Sequence, residues 1–232
     1  MTPEKEALAF ALHDVGAVLD KTADHPQNPG YGGFRLKLHE TQPDAPLSPY
    51  FLMLRTPENK NGPLTPEVVD QIGAMLYSMA CEEELEYDHV VGVPRAGDPF
   101  ADAFAKAALQ QDGREVPVLR MGKVEGDNGR KVEGVQGSFV IGDWVLLLDD
   151  LITKAHSKFE AIQEAQKAGL IVSDVMVLVD REQGGVAGVQ QEFPGTSVHV
   201  VFTITDLLTL YLRHGRIDQQ IYNQIVYYLE NN

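Results

Sequence analysis

Apolar and polar positions change period several times along the first 86 residues. Leu8, Leu12, Val15 and Leu19 recur at helical spacing and predict an amphipathic helix over residues 3–20. A Pro- and Gly-rich passage from His25 to Gly33 predicts a loop. Phe34 to Leu38 alternates apolar and basic residues, the period of a short strand. After a second Pro-rich loop, Gln42 to Pro49, the run Tyr50 to Leu54 predicts another strand. Val68, Ile72, Met75 and Met79 place a helix over Thr65–Met79, and the acidic segment Cys81–Glu86 is expected at the surface.

From Tyr87 the pattern becomes a repeated strand, turn and helix. Strands are predicted at Asp88–Val93, Val116–Met121, Val145–Leu148, Leu170–Val179 and Ser197–Phe202, and helices at Phe100–Gln110, Ser157–Ala168, Asp206–Arg213 and Asp218–Leu229. Gly169 and Gly215 stand where helix-ending glycines belong. Gly122, Gly126, Gly129, Gly134 and Gly137 punctuate a segment of mixed charge, which predicts a mobile loop or an exposed hairpin. Strands alternating with helices imply an α/β fold with a central parallel sheet flanked by helices. Residues 1–60, irregular and Pro-rich, are expected to form a small subdomain over the sheet edge, and residues 61–232 the core of the same domain.

The richest stretch for chemistry is Trp144 to Lys158, W-V-L-L-L-D-D-L-I-T-K-A-H-S-K. A continuous Val/Leu run suits a strand buried on both faces, and it delivers Asp149 and Asp150 to the strand's carboxyl end, where open α/β sheets bind ligands. Adjacent carboxylates are costly to bury, so a polyhydroxyl or cationic partner is expected. Thr153 to Ser157 lie between strand and helix, where amides and hydroxyls meet an anion, with Lys154 and Lys158 bracketing them. Ser157 with Glu160 also fits a capping box. A second turn, P-R-A-G-D-P, can present the amides of Ala96 and Gly97 to an anion with Arg95 adding charge.

Composition narrows the partners. A net charge of -15 argues against general binding to nucleic acid or anionic membranes, and no stretch has the roughly 20 apolar residues of a membrane span. A single cysteine, Cys81, excludes an internal disulfide framework; together with an N-terminus lacking signal-peptide character it makes the cytoplasm the expected location, and packing is the expected role of that cysteine. The histidines lack zinc-ligand spacing and are expected mostly at the surface or at caps. Trp144, Tyr227 and Tyr228 are expected in packing or dimer contacts.

The run from the apolar strand through both acids, Thr153 and the short loop resembles the phosphoribosyl-diphosphate motif of type I phosphoribosyltransferases. G-F-R-L-K-L, L-S-P-Y-F-L-M-L-R, V-L-V-D-R-E-Q-G-G and T-I-T-D-L-L-T-L are similar to segments of the orotate phosphoribosyltransferase family. The resemblance implies a type I phosphoribosyltransferase-like sheet with a small N-terminal hood, and transfer of phosphoribosyl to orotate with Mg²⁺ carried by the diphosphate. It implies that Asp149 and Asp150 hold the ribose, and that Thr153, Lys154, Ala155, His156 and Ser157 cradle the 5-phosphate. Lys37, Ser48, Pro49, Tyr50 and Arg55 would border the substrate, and Arg181 would meet the orotate carboxylate. Arg95, Ala96, Gly97 and Arg120 would serve the diphosphate, with Lys123 or Lys131 as the catalytic base from the segment at 122–137. A homodimer is implied as well. Ala155 stands where the family carries glycine, and the segment at 122–137 lacks the family's usual bases and histidine. A different base as substrate, or a binding or regulatory protein with reduced catalysis, are the alternatives.

Overall fold

The computed structural model describes residues 1–40, 42–126 and 129–231; the side chains of Pro29, Lys37, Leu38, Glu125 and Arg130 lie outside that description. The chain divides into two compact units, one of residues 1–64 with 204–232, the other of residues 65–203.

The first unit opens with α1 (Pro3–Asp14), whose first turn carries Pro3 and is capped by the Thr2 hydroxyl accepting from the Lys5 amide. The predicted helix to residue 20 ends earlier, because Gly16 turns the backbone at φ +76° and Val18–Asp20 become β1. β1 pairs antiparallel with β2 (Tyr50–Leu52). The predicted strand at 34–38 reduces to one bridge, Phe34 to Ser48, followed by a 3-10 turn at Lys37–Glu40. His39 closes that turn: its imidazole hydrogen-bonds Leu36 and the Ala45 carbonyl, which withdraws this backbone from strand pairing.

The second unit follows in chain order as α2 (Pro66–Glu82), β3 (His89–Gly92), α3 (Asp98–Asp112), β4 (Val118–Gly126), β5 (Gly129–Gln136), β6 (Val145–Ile152), α4 (His156–Lys167), β7 (Asp174–Asp180), α5 (Gly185–Glu192) and β8 (Ser197–Thr203). The sheet order is β5-β4-β3-β6-β7-β8, with every neighbouring pair parallel except β4 with β5. Val91, Val145, Leu147, Val175 and Val177 share one face and pack with Ala161, Ile162 and Ala165 of α4 and Val189 of α5. α2 and α3 lie against each other so closely that a side chain on Gly73 would overlap Ala103. Between β3 and β6 the strand order reverses direction, the place where such sheets open a crevice at their carboxyl ends.

The Gly-rich segment at 122–137 is the hairpin of the two alternatives. β4 and β5 pair from Arg120↔Gln136 to Gly126↔Gly129, with a register shift at Met121/Gly122. α4 holds β5: the carboxylate of Glu160 accepts from the Val132 amide at 3.1 Å and that of Glu164 from the Gly134 amide at 3.0 Å. Glu160 is therefore committed to the hairpin and does not close a capping box with Ser157.

The last helices, α6 (Ile204–Arg213) and α7 (Gln219–Asn231), belong to the first unit and not to the core that contains the sheet. The boundary near residue 60 with all later residues in the core is thereby revised. Tyr211 donates its hydroxyl to the Ala9 carbonyl at 2.7 Å, Arg216 pairs with Asp14, and Tyr228 meets Tyr50 edge-on. Cys81 is exposed near the end of α2, as expected for the segment Cys81–Glu86 and not as a packing cysteine would be. Of the histidines, expected mostly at the surface or at caps, His39 and His89 are the buried ones, His89 bonding Asp143 at 2.8 Å.

Gly97→Ala places a methyl group on the Leu148 carbonyl oxygen and is expected to lower unfolding free energy by about 2 kcal/mol or more in urea titration. Glu160→Ala with Glu164→Ala is expected to accelerate hydrogen exchange several-fold at the Val132 and Gly134 amides while leaving the β6 amides unchanged.

Candidate active site

β6 carries its apolar run into the sheet and places the acid pair within its last four residues. Asp149 and Asp150 are each only 3% exposed, so the expectation of an acid pair at the strand's carboxyl end is met by two carboxylates inside the protein. Asp149 continues the row of Val145 and Leu147 that faces α4. Lys158, the third residue of α4, reaches back to it with Nζ 2.5 Å from Oδ2. The same ammonium donates to the Leu151 carbonyl, and the other Asp149 oxygen accepts from the Asp150 amide at 2.8 Å. Burial pushes the Asp149 carboxyl up to about 7; Lys158 pulls against that shift and Asp150 adds to it. Lys158 was expected to flank a phosphate; it is itself buried and turned inward.

The loop after β6 does contain the turn that glycine would favour. Ala155 takes φ +58°, ψ +10°, and the first turn of α4 follows directly with Ala155 as its cap residue. The left-handed conformation costs an L-residue about 1 kcal/mol, and burying one methyl returns about 0.8 kcal/mol; the Ala155 side chain is 3% exposed in the α4 core. Alanine is thus tolerated where glycine was expected. Ser157 is not the cap. The helix start leaves its first N–H groups without partners inside the helix, which is the anion-binding condition. Thr153 and Ser157 are half-buried, while Lys154 and His156 are exposed.

Two neighbouring turns complete the rim. The Arg181 amide donates to the Ile152 carbonyl at 3.0 Å, so Arg181 starts the β7 turn directly beside the loop after β6. Gly184 takes φ +83°, and a side chain on Gly185 would overlap the Thr153 carbonyl. On the other side, Arg95 is exposed in the turn after β3 and the Pro94–Arg95 peptide is cis. Ala96 and Gly97 are buried there, Gly97 against β6.

Lys123 and Lys131 part company. Lys123 donates to the Pro94 carbonyl at 2.9 Å and so is held on the turn that carries Arg95. Lys131 lies near enough to Glu164 to favour its ionised form, and Glu164 stands eight residues beyond the first residue of α4, about 12 Å of helix rise from the loop after β6. Arg120 joins the Lys123 side: its Nη2 meets Asp102 at 2.5 Å, while its Nη1 is buried with no hydrogen-bond partner among the described residues. Asp98, half-buried among Arg120, Asp102, Arg95 and Lys123, has its carboxyl raised, burial being the main cause. The pairing of Lys158 with Asp149, and the acids Asp98 and Asp102 around Arg120, carry no motif of their own; the one signal was a lysine on the α4 face that meets the strand.

Lys37 and Tyr50 belong to the first unit. The Lys37 side chain lies outside the described residues. Tyr50 is 1% exposed with its ring against Tyr228, a packed position and not an open rim. Ser48 is buried with its hydroxyl donated to the Tyr50 carbonyl, and Arg55 donates to the Leu54 carbonyl. Among the described residues no group of three or more His, Cys, Asp or Glu converges to hold a metal ion, and no helix is long and apolar enough to cross a membrane.

No family model matches the chain. It is 30% identical over 167 residues to uridine 5'-monophosphate synthase of Bos taurus, covering 72% of this chain but only 33% of that protein, so the chain spans about a third of that relative. The structure is similar to that of Leishmania donovani UMP synthase, with a TM-score of 0.71 and 24% identity over 98% of this chain and 42% of the other. Against the orotate phosphoribosyltransferase of Pyrococcus furiosus it is 31% identical over 141 residues, which cover 59% of this chain and 74% of that protein. With the acid pair, the left-handed turn before α4 and a relative matched over most of its length, the chain belongs to the orotate phosphoribosyltransferase family.

Proposed function

We propose that the chain transfers the 5-phosphoribosyl group of phosphoribosyl diphosphate to a ring nitrogen of orotate, giving orotidine 5'-monophosphate and diphosphate in pyrimidine biosynthesis. The observation that carries the reading is a buried acid pair followed within a few residues by a left-handed turn and a helix N-terminus. A sugar phosphate needs those two features side by side, hydroxyl acceptors and an anion cradle. The acids accept from ribose hydroxyls, and the amides from Thr153 to Ser157 receive the 5-phosphate.

As the bond from the anomeric carbon to the diphosphate oxygen breaks, both electrons leave with the oxygen and positive charge spreads over the ring. Asp150 and Asp149 lie below that charge, in a water-poor setting where electrostatic stabilisation is strongest. Arg95 and Lys123, gathered on the turn after β3, and Arg120 beside them neutralise the departing diphosphate. Orotate's ring nitrogen supplies the electron pair of the new bond and gives up its proton to the departing diphosphate, and Arg181 pairs with the orotate carboxylate. Mg²⁺ is read as part of the diphosphate substrate, with few protein ligands. The reading extends to a cytoplasmic homodimer, with subunit mass in solution as its check.

Mixing protein, Mg²⁺, phosphoribosyl diphosphate and orotate should deplete orotate absorbance; binding of phosphoribosyl diphosphate without depletion would favour the reduced-catalysis alternative, and turnover with another base would move the substrate. Asp150→Asn is expected to lower kcat about 100-fold or more with an unchanged circular dichroism spectrum; retained activity refutes the site. Lys123→Ala is expected to cost about 10-fold or more in kcat, and Lys131→Ala less than about 3-fold, because only Lys123 is held at the Arg95 turn. Steady-state kinetics of the two variants side by side reads that difference.

A further inference from the structure

An ammonium group buried to 3% exposure must find partners, and Lys158 finds two, Asp149 and the Leu151 carbonyl. The result is that each oxygen of Asp149 is already engaged by the protein, Oδ2 by Lys158 and Oδ1 by the Asp150 amide. We infer that Lys158 is a positioning residue that favours the ionised form of Asp149 and fixes it in place as a built-in counter-charge under the sugar. The inference rests on the phosphoribosyltransferase reading of the same site.

The charges that act on Asp149 are few. Lys158 comes from α4 and Asp150 from its own strand. On the neighbouring strand β7, Val177 and Val179 stand opposite residues 149 and 151, and on β3 Gly92 stands opposite Leu148. A buried carboxylate stripped of its one cation takes up a proton sooner than it carries an unpaired charge. Protonated, Asp149 would keep its place but lose the charge that opposes the developing oxocarbenium ion. The loss would therefore appear in kcat more than in KM for phosphoribosyl diphosphate.

The test is Lys158→Met, which keeps an unbranched chain and removes the charge, followed by carbon-13 NMR of the aspartate carboxyls with Asp149 assigned from Asp149→Asn. The titration midpoint of Asp149 is expected to rise by about 1 to 3 pH units, and the acid limb of kcat to move the same way. Lys158→Met should add nothing to the loss already caused by Asp149→Asn. An unmoved midpoint, or an equal further loss in the Asp149→Asn background, overturns the inference. Should Lys158→Met fail to fold, the neutral pair Asp149→Asn/Lys158→Met must fold as well as Asp149→Asn does. If it does not, Lys158 serves packing independently of Asp149 and the inference is wrong. Calorimetry of phosphoribosyl diphosphate with the unaltered protein separates the two layers: no binding refutes the functional reading, while the NMR titration still decides the role of Lys158.

Discussion

Two carboxylates side by side inside a protein are the constraint from which the rest of the sheet's carboxyl edge follows. Asp149 and Asp150 are withdrawn from water by the packing of β6 between its neighbours, and within the strand the Asp150 amide gives Asp149 a hydrogen bond but no positive charge. The compensation comes from α4, which turns a lysine inward where a helix of this amphipathic pattern would ordinarily place an apolar residue. Breaking such a pair by removing one partner is far more costly than never having built it, about 3–5 kcal/mol in comparable sites. The position of the first turn of α4 is thus tied to the electrostatics of the acids, and the loop of residues 153–155 joins the two.

Close backbone approach does the remaining positioning. Gly97 touches the Leu148 carbonyl and Gly185 the Thr153 carbonyl, so the turns after β3 and β7 are drawn onto β6 from both sides. The loop of residues 153–157 sits between them, closed by Ala155 in the left-handed region. A positive φ at alanine is a small strain, and the buried methyl group nearly offsets it. This is why the departure from glycine does not open the loop.

The hairpin β4–β5 is joined to the same helix. Glu160 and Glu164 project from α4 onto the backbone of β5, and Lys123 projects from β4 onto the turn after β3. Lys123 is thereby held on the turn after β3, while Lys131 lies on the side of the hairpin near Glu164. In a chain of net charge -15, cations gathered around one turn are a local arrangement and not a surface property. Asp98 and Asp102 sit among them and moderate their charge.

Much of this was legible from residues alone. The alternation of strands and helices after Tyr87 specified a parallel sheet, because period and burial are local consequences of sequence, and the Val/Leu run ending in Asp149 and Asp150 specified a ligand-bearing strand end. What the sequence left undecided depends on contacts between residues distant in the chain. Whether Lys158 faces an anion or Asp149 depends on how α4 is rotated against β6, and whether Glu160 caps its helix or holds Val132 depends on where the hairpin lies. The short N-terminal strand failed because His39 satisfied its own turn, and α6 and α7 joined the N-terminal unit because Tyr211 and Arg216 found partners in α1. Local periodicity determined the elements and the acids; only the packed sheet decided which charge answers which.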